Sequence, residues 1–219
     1  MKNNGYFFFV GSPANGLSDV VKEFSYKNLS FYVFKGVYEP GEDTFLLAEN
    51  LDVRADDRVL DMGTGCGILA VLSALKASWV LAVDVNPNAV RCAKVNARRN
   101  GVLGKISFVC GDLFNPLRRN TVFDLVLFNA PYLPVEEKPR EWIEYAWAGG
   151  KNGRRIIDRF LNDLPNYLRY GGRLLLVQSS LSNIEETLIM LENREFKTEI
   201  VDRKRFFFEE IALIKAVRH

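Results

Sequence analysis

Histidine is nearly absent. The chain of 219 residues carries one, His219, at its last position. A Ser-His-Asp triad, a Cys-His pair, a histidine general base or a His-rich zinc site each needs an imidazole held in a cleft. Unless the terminal residue supplies that ring, the chemistry must rest on carboxylates, amides, hydroxyls, backbone groups or a reactive cofactor. Turnover is then expected to show no inflection in the histidine range, roughly pH 6.5. Cysteine is scarce as well: Cys66, Cys92 and Cys110 are odd in number and lack CxxC spacing, so neither a disulfide framework nor a zinc knuckle is indicated. A reducing, cytoplasmic compartment is expected. Long apolar runs are missing, since Ile68 to Leu72 falls far short of a membrane span and Tyr6 to Val10 is too short for a signal-peptide core. Charge of one sign is missing too: 29 Lys+Arg against 27 Asp+Glu create no global field toward nucleic acid. The basic clusters Arg98-Arg99, Arg118-Arg119, Arg154-Arg155 and Arg203-Lys204-Arg205 read singly as solvated surface.

What is present is 48% hydrophobic residues without repeat, low-complexity tract or linker, which indicates one domain with a substantial core. Apolar β-branched runs alternate with stretches of helical period. Arg58 to Met62 reads as a strand and Ile68 to Leu75 as a helix. Val80 to Val85 is a second strand, followed by a helix from Pro87, where proline suits the first turn, to the stop signal Asn100-Gly101. Ile106 to Cys110 and Phe123 to Phe128 are further strands. One apolar stripe, Ile156, Ile157, Phe160, Leu161, Leu164 and Leu168, predicts a long helix ended by Gly171-Gly172. Leu174 to Gln178 is a fifth strand, Ile184, Leu188 and Leu191 mark another helix, and the last strands lie around Thr198 to Val201 and Ile211 to Ala216. Fully apolar strands joined by helices predict an α/β fold, doubly wound around a mostly parallel sheet. Ligands of such sheets sit at the carboxyl ends of the strands.

The first of these strands ends in Asp61-Met62-Gly63-Thr64-Gly65-Cys66-Gly67 and runs into a helix. Glycines there permit φ > 0 and close approach of a ligand to the backbone. Gly65, Gly67 and Ala70 also satisfy GxGxxA, and Asp84 stands where a dinucleotide fold places its ribose carboxylate. Asp61 favours a different ligand. A carboxylate at the loop mouth repels a diphosphate but attracts an ammonium and a sulfonium, each pairing worth about 4 kcal/mol at 4 Å and an effective dielectric near 20 before desolvation. That points to S-adenosylmethionine rather than NAD. Asp84, with two acceptor oxygens, suits both ribose hydroxyls, and Asp112, in Cys110-Gly111-Asp112-Leu113-Phe114, suits the adenine amine. Each Asp alone could be a helix N-cap. Three ending successive strands indicate a cofactor site.

With these motifs the sequence resembles the class I S-adenosylmethionine-dependent methyltransferases from Val37 to its end. The resemblance implies a seven-stranded sheet whose last strand is antiparallel, a methyltransferase domain over 37–219, and a segment 1–36 without counterpart. The fourth strand ends Phe128-Asn129-Ala130-Pro131-Tyr132, similar to the N-P-P-Y motif of methyltransferases acting on planar, conjugated nitrogens. Such a nitrogen is a poor nucleophile and must be held in place. The Asn129 side-chain oxygen and the Ala130 carbonyl are expected to accept its N–H groups, Pro131 to fix the turn and Tyr132 to stack on the planar group. Asn129 and Tyr132 are thus the expected catalytic residues, with Ala130 and Pro131 completing the substrate site. Ala130 departs from the motif's first proline but keeps its carbonyl.

Val37-Tyr38-Glu39-Pro40-Gly41-Glu42-Asp43-Thr44-Phe45-Leu46-Leu47 narrows the resemblance to the archaeal and eukaryotic HemK-like enzymes that modify a glutamine of class I translation release factors. It implies that Thr44 contacts the methionine end of the cofactor with Tyr38 and Glu39 close by; read locally, Asp43 and Thr44 lie near a helix cap. The implied cofactor set is Tyr38, Glu39, Thr44, Asp61, Gly63, Gly65, Asp84, Val85, Asp112, Leu113 and Asn129, with no metal ligand. The segment Trp147 to Arg154, with Asp158-Arg159-Phe160, resembles the stretch that shapes the substrate side in that group, although Trp142, Tyr145 and Trp147 could equally form a satellite core. A Gly-Gly-Gln glutamine is the expected acceptor. The competing acceptors are an adenine amine in RNA or DNA and a lysine, and the competing class is a cofactor-binding subunit without catalysis. The resemblance also implies a small zinc-binding activator pairing with a sheet edge. Tyr6 to Val10 and Phe206 to Phe208 could meet such a partner, though Phe206 to Phe208 is expected in the chain's own core.

Overall fold

The computed structural model describes residues 7–9, as backbone, together with 18–119 and 121–219. Tyr6 and Val10, the ends of the N-terminal apolar run, lie outside the described residues. Three strands, β1 (Phe7–Phe9), β2 (Val20–Tyr26) and β3 (Leu29–Phe34), form a small antiparallel sheet in that order. The turn between β2 and β3 is Lys27-Asn28, both at positive φ (48° and 64°), the conformation a tight two-residue hairpin demands.

The main sheet contains β4 (Arg58–Met62), β5 (Trp79–Asp84), β6 (Ile106–Cys110), β7 (Phe123–Asn129), β8 (Leu168–Ser179), β9 (Phe196–Arg205) and β10 (Glu210–Arg218). Their order is β6-β5-β4-β7-β8-β10-β9. The first five pair in parallel, and β10 runs antiparallel between β8 and β9. This is the expected seven-stranded sheet with its last strand antiparallel. The chain's order reverses between β4 and β7, so the carboxyl ends of these central strands flank a crevice. Val59, Leu60, Leu125, Val126, Leu127, Leu174 and Leu176 are fully buried, as strands covered on both faces require.

Among the described residues five α-helices connect and cover the sheet: α1 (Glu42–Glu49), α2 (Ile68–Ala74), α3 (Pro87–Arg99), α4 (Arg155–Asp163) and α5 (Ile184–Glu192). In α3 the Asn86 side chain accepts from Asn88 N at 2.9 Å, Pro87 occupies the first turn, and Arg98 and Arg99 face the negative end of the helix dipole. The same helix holds the small sheet. Asn96 accepts from Tyr32 N and donates to Tyr32 O, both at 2.8 Å, and Asn100 repeats the pattern on Ser30 at 3.1 and 2.9 Å. Two side-chain amides thereby satisfy backbone groups that a further strand would otherwise pair.

The long helix expected from Ile156 to Leu168 is divided. The α-helix ends at Asp163, a 3-10 turn spans Leu164–Asn166 around Pro165, and Leu168 already begins β8. Proline in an apolar stripe ends the helix, and Gly171-Gly172 lies within β8 rather than at a helix stop. The expectation for Phe206 to Phe208 is also overturned: the three form the exposed tip between β9 and β10, with Phe207 at 92% and Phe208 at 85% exposure. A hairpin tip at the end of two long strands projects beyond the core that would cover it. Among the described residues no helix is long and apolar enough to cross a membrane.

Candidate active site

A cavity of about 420 Å³ opens over the carboxyl ends of β4, β5, β6 and β7. Its floor is the glycine loop after β4. Gly63, Gly65 and Gly67 adopt φ of 68°, 56° and 84°. A Cβ on Gly65 would meet nothing within 4 Å, because the residue faces open space, whereas one on Gly67 would strike Ala93 at 2.7 Å. The first glycine therefore leaves room for a ligand, and the second lets the loop lie against α3. Asn96 joins the two by donating to Cys66 O at 2.8 Å.

The three carboxylates differ in environment. Asp61 is fully buried behind the loop. Its Oδ2 accepts from the Thr64 hydroxyl at 2.6 Å, and its Oδ1 has no hydrogen-bond partner among the described residues. Burial pushes this carboxyl up from its ordinary 3.8 to about 7, against the lowering effect of the Thr64 bond. Asp61 is thus a group other than histidine whose carboxyl is shifted toward neutrality. Asp84 accepts from Gly65 N at 2.8 Å and Asn86 N at 2.9 Å, and its pKa is also raised by burial. It lines the cavity, and each of its oxygens keeps further acceptor capacity beyond these bonds. Asp112, at the opposite end, is half-exposed and pairs with Arg159 at 2.6 Å.

Asn129, at the end of β7, presents an oriented amide. Its Nδ2 donates to Asp43 Oδ2 at 3.0 Å and to Thr44 Oγ1 at 3.2 Å, while its buried Oδ1 has no partner among the described residues. A carboxylate accepts only, so the –NH₂ must face Asp43 and the oxygen the other way. Ala130 N donates to Val177 O at 3.4 Å, a contact that proline, lacking an N–H, could not make. The segment after the motif is clamped from outside: Leu133 N donates to Trp147 O and Gly149 N to Leu133 O, both at 2.9 Å. Gly153, at φ 73°, lies against the Tyr132 carbonyl, where a Cβ would approach to 2.3 Å. Arg154, buried, anchors this clamp by donating to the Ser182 and Asn183 carbonyls at 2.8 and 2.7 Å. Phe160 of α4 packs on Phe128 beside the site, ring centroids 4.5 Å apart.

Of the expected residues, Tyr38, Thr44, Gly63, Gly65, Asp84, Val85, Asp112, Leu113, Asn129 and Pro131 line the cavity. Glu39, Asp61 and Ala130 do not: Glu39 is exposed and paired with Lys22, while Asp61 and Ala130 are buried behind the lining. Tyr132 is buried, with its hydroxyl donating to Asp43 Oδ2 at 3.2 Å, and it is not part of the lining. The aromatic surface at the opening is instead Trp142 and Tyr145, rings 5.6 Å apart and each roughly two-fifths exposed, which is no satellite core. Asp43, read from sequence as a residue near a helix cap, sits in the first turn of α1, whose N-cap is Gly41. Tyr38 also donates to its Oδ2, at 3.3 Å. Burial, with the Asp43 charge second, raises the pKa of Tyr38 and of Tyr132, so both hydroxyls stay protonated as donors. Arg155 and Arg159 line the cavity as well; only Arg159 lay within a motif read from sequence.

Residues 35–208 match the methyltransferase small domain family. A Methanocaldococcus jannaschii chain provisionally named a protein N5-glutamine methyltransferase is 46% identical over 83% of this chain and 92% of its own length. Methyltransferase HEMK2 of Homo sapiens is 38% identical over 74% of this chain and 80% of its own. A solved structure from E. cuniculi, titled as the Mtq2-Trm112 complex responsible for methylation of the eRF1 translation termination factor, superposes with a TM-score of 0.66. It is 28% identical and covers 84% of this chain and 99% of that one.

Proposed function

The chain belongs to the methyltransferase small domain family, in its HemK-like glutamine methyltransferase branch, and from that premise we propose that it methylates a glutamine side-chain amide nitrogen with S-adenosylmethionine, in the Gly-Gly-Gln motif of a class I translation release factor. The observation that carries this reading is the buried, unpartnered Oδ1 of Asn129 beside the cavity. A buried acceptor without a donor costs about 1 to 3 kcal/mol, which an incoming N–H would recover. A primary amide supplies that N–H on a flat group, and Trp142 and Tyr145 offer flat surfaces at the opening.

The residues lining the cavity, with Asp61 buried behind them, suit S-adenosylmethionine. The free Oδ1 of Asp61 suits a buried cation, the open space over Gly65 suits close approach to backbone, and Asp84 suits a ribose diol. When bound, the cofactor supplies an electrophilic methyl group on a sulfonium. The protein's part is geometry: Asn129 Oδ1 and the carbonyl of Ala130 accept the acceptor's N–H groups and turn its nitrogen lone pair toward that methyl group. Positioning of this kind can lower a barrier by roughly 7 to 11 kcal/mol. No general base is required, because a methylated amide nitrogen bearing positive charge loses its proton readily to water. The protonated Tyr38 and Tyr132 fit that economy of acid-base groups.

The release factor is therefore the proposed protein partner. By analogy with the Mtq2-Trm112 complex we extend the proposal to a small activator subunit, for which β6 is the candidate edge: it ends the main sheet and carries the partly exposed Phe108 and Val109. Incubation of the chain, alone and with such a subunit, with radiolabelled S-adenosylmethionine and either a recombinant release factor, tRNA or DNA tests the reading. Label is expected in the protein; label confined to nucleic acid would reject it.

A further inference from the structure

Asp43 is 5% exposed and, among the described residues, collects hydrogen bonds only from neutral groups. Thr44 N donates to Oδ1 at 2.7 Å; Asn129 Nδ2, Tyr132 Oη and Tyr38 Oη donate to Oδ2 at 3.0, 3.2 and 3.3 Å. The neighbouring cation Lys204 pairs with Glu42, one residue earlier. Among the described residues no salt bridge to Asp43 is formed. With no cation beside it, hydrogen bonds from these four donors are what offset the burial of this carboxyl group.

Two consequences follow from its place. First, an acceptor-only group facing the Asn129 –NH₂ forbids the flipped rotamer, in which the Asn oxygen would point at the carboxylate and a donor would meet the acceptor's N–H groups. Second, a full negative charge on the –NH₂ side polarises the amide toward its oxygen, strengthening the hydrogen bonds Oδ1 can accept. Both effects grow as the acceptor nitrogen gains positive charge from the methyl group, so they act more on the transition state than on the bound substrate.

We infer that Asp43 is a positioning residue for methyl transfer: it fixes and polarises the Asn129 amide so that Oδ1 faces the acceptor nitrogen. The inference rests on the glutamine methyltransferase reading. Asp43→Asn preserves shape and one acceptor oxygen but removes the charge and the orientational constraint. With a recombinant release factor as acceptor, its kcat should fall roughly 10- to 100-fold, the loss typical of one oriented charged hydrogen bond. The KM for the release factor and the calorimetric Kd for S-adenosylmethionine should each stay within about threefold, since that bond acts mainly in the transition state. An unchanged kcat, or a loss carried wholly by KM or Kd, would overturn the inference.

A charge exchange guards against a folding artefact. Asn129→Asp alone places two carboxylates about 3 Å apart and should be nearly inactive. Adding Asp43→Asn restores a donor facing an acceptor with the free oxygen outward, and should regain at least about tenfold in kcat. No regain would also overturn the assignment. The wild-type arm separates the two levels: absence of methylglutamine there rejects the functional reading, whereas methylglutamine with undiminished kcat in Asp43→Asn rejects the inference alone.

Discussion

Lowering the pH from 8 to 5 should weaken S-adenosylmethionine binding through a single carboxyl, Asp61. Its folded-state pKa is about 7 because burial disfavours the charged form. At pH 5, two units below, about one molecule in a hundred carries the anion that an ammonium would meet, which corresponds to about 2.7 kcal/mol. The Kd should therefore rise toward about a hundredfold between pH 8 and pH 5, steepening to nearly tenfold per unit below neutrality. The unliganded protein should respond in the opposite sense. Between the ordinary 3.8 and about 7 the folded state holds a proton that the unfolded chain releases. Stability contributed by the neutral carboxyl is thus lost as pH rises through that window, up to about 4 kcal/mol. Bound cofactor should reverse the trend. Asp84 is raised by burial too, so Asp61→Asn is the comparison that isolates Asp61. Titration calorimetry from pH 5 to 8 on both proteins measures the difference. Equal slopes in wild type and Asp61→Asn, or flat affinity in both, would refute the assignment of the free Oδ1 to a cation.

Asn129→Ala should lower kcat by a factor of about 10² to 10³, the usual effect of losing one transition-state hydrogen bond, while calorimetry finds cofactor affinity within a few-fold. An unchanged rate would remove Asn129 from the chemistry. Gly67→Ala should destabilise the fold by about 1 to 3 kcal/mol, because the added methyl combines positive φ with a 2.7 Å clash on Ala93. Thermal denaturation reads this directly, and a wild-type midpoint would show that loop and helix separate freely.

The sheet was legible because its strands are short, apolar and punctuated. Arg58 to Met62 and Ile106 to Cys110 are found at the boundaries read from sequence. The ends that carry Asp61, Asp84 and the Asn129 motif followed from them, since a strand's carboxyl end places whatever residue stands there. The misreadings have equally local causes. The stripe through Leu164 and Leu168 continued the helical period across Pro165, where backbone chemistry overrides side-chain pattern. The turn Lys27-Asn28 lacks the glycine that usually marks a two-residue hairpin, so β2 and β3 had no punctuation to announce them. Phe206 to Phe208 is as apolar as any core strand, and nothing local distinguishes a projecting tip from a buried one. Asp43 was hidden for another reason. Its partners Asn129 and Tyr132 lie 86 and 89 positions away, and only the fold brings them to one oxygen.

The central claim is the identity of the acceptor atom. Mass spectrometry of a release factor incubated with the enzyme and isotopically labelled S-adenosylmethionine should locate one added methyl group on the side chain of the glutamine in its Gly-Gly-Gln motif, absent when Asn129→Ala replaces wild type. A methyl group found instead on a lysine, or on an adenine of added RNA or DNA with the release factor unmodified, would contradict it.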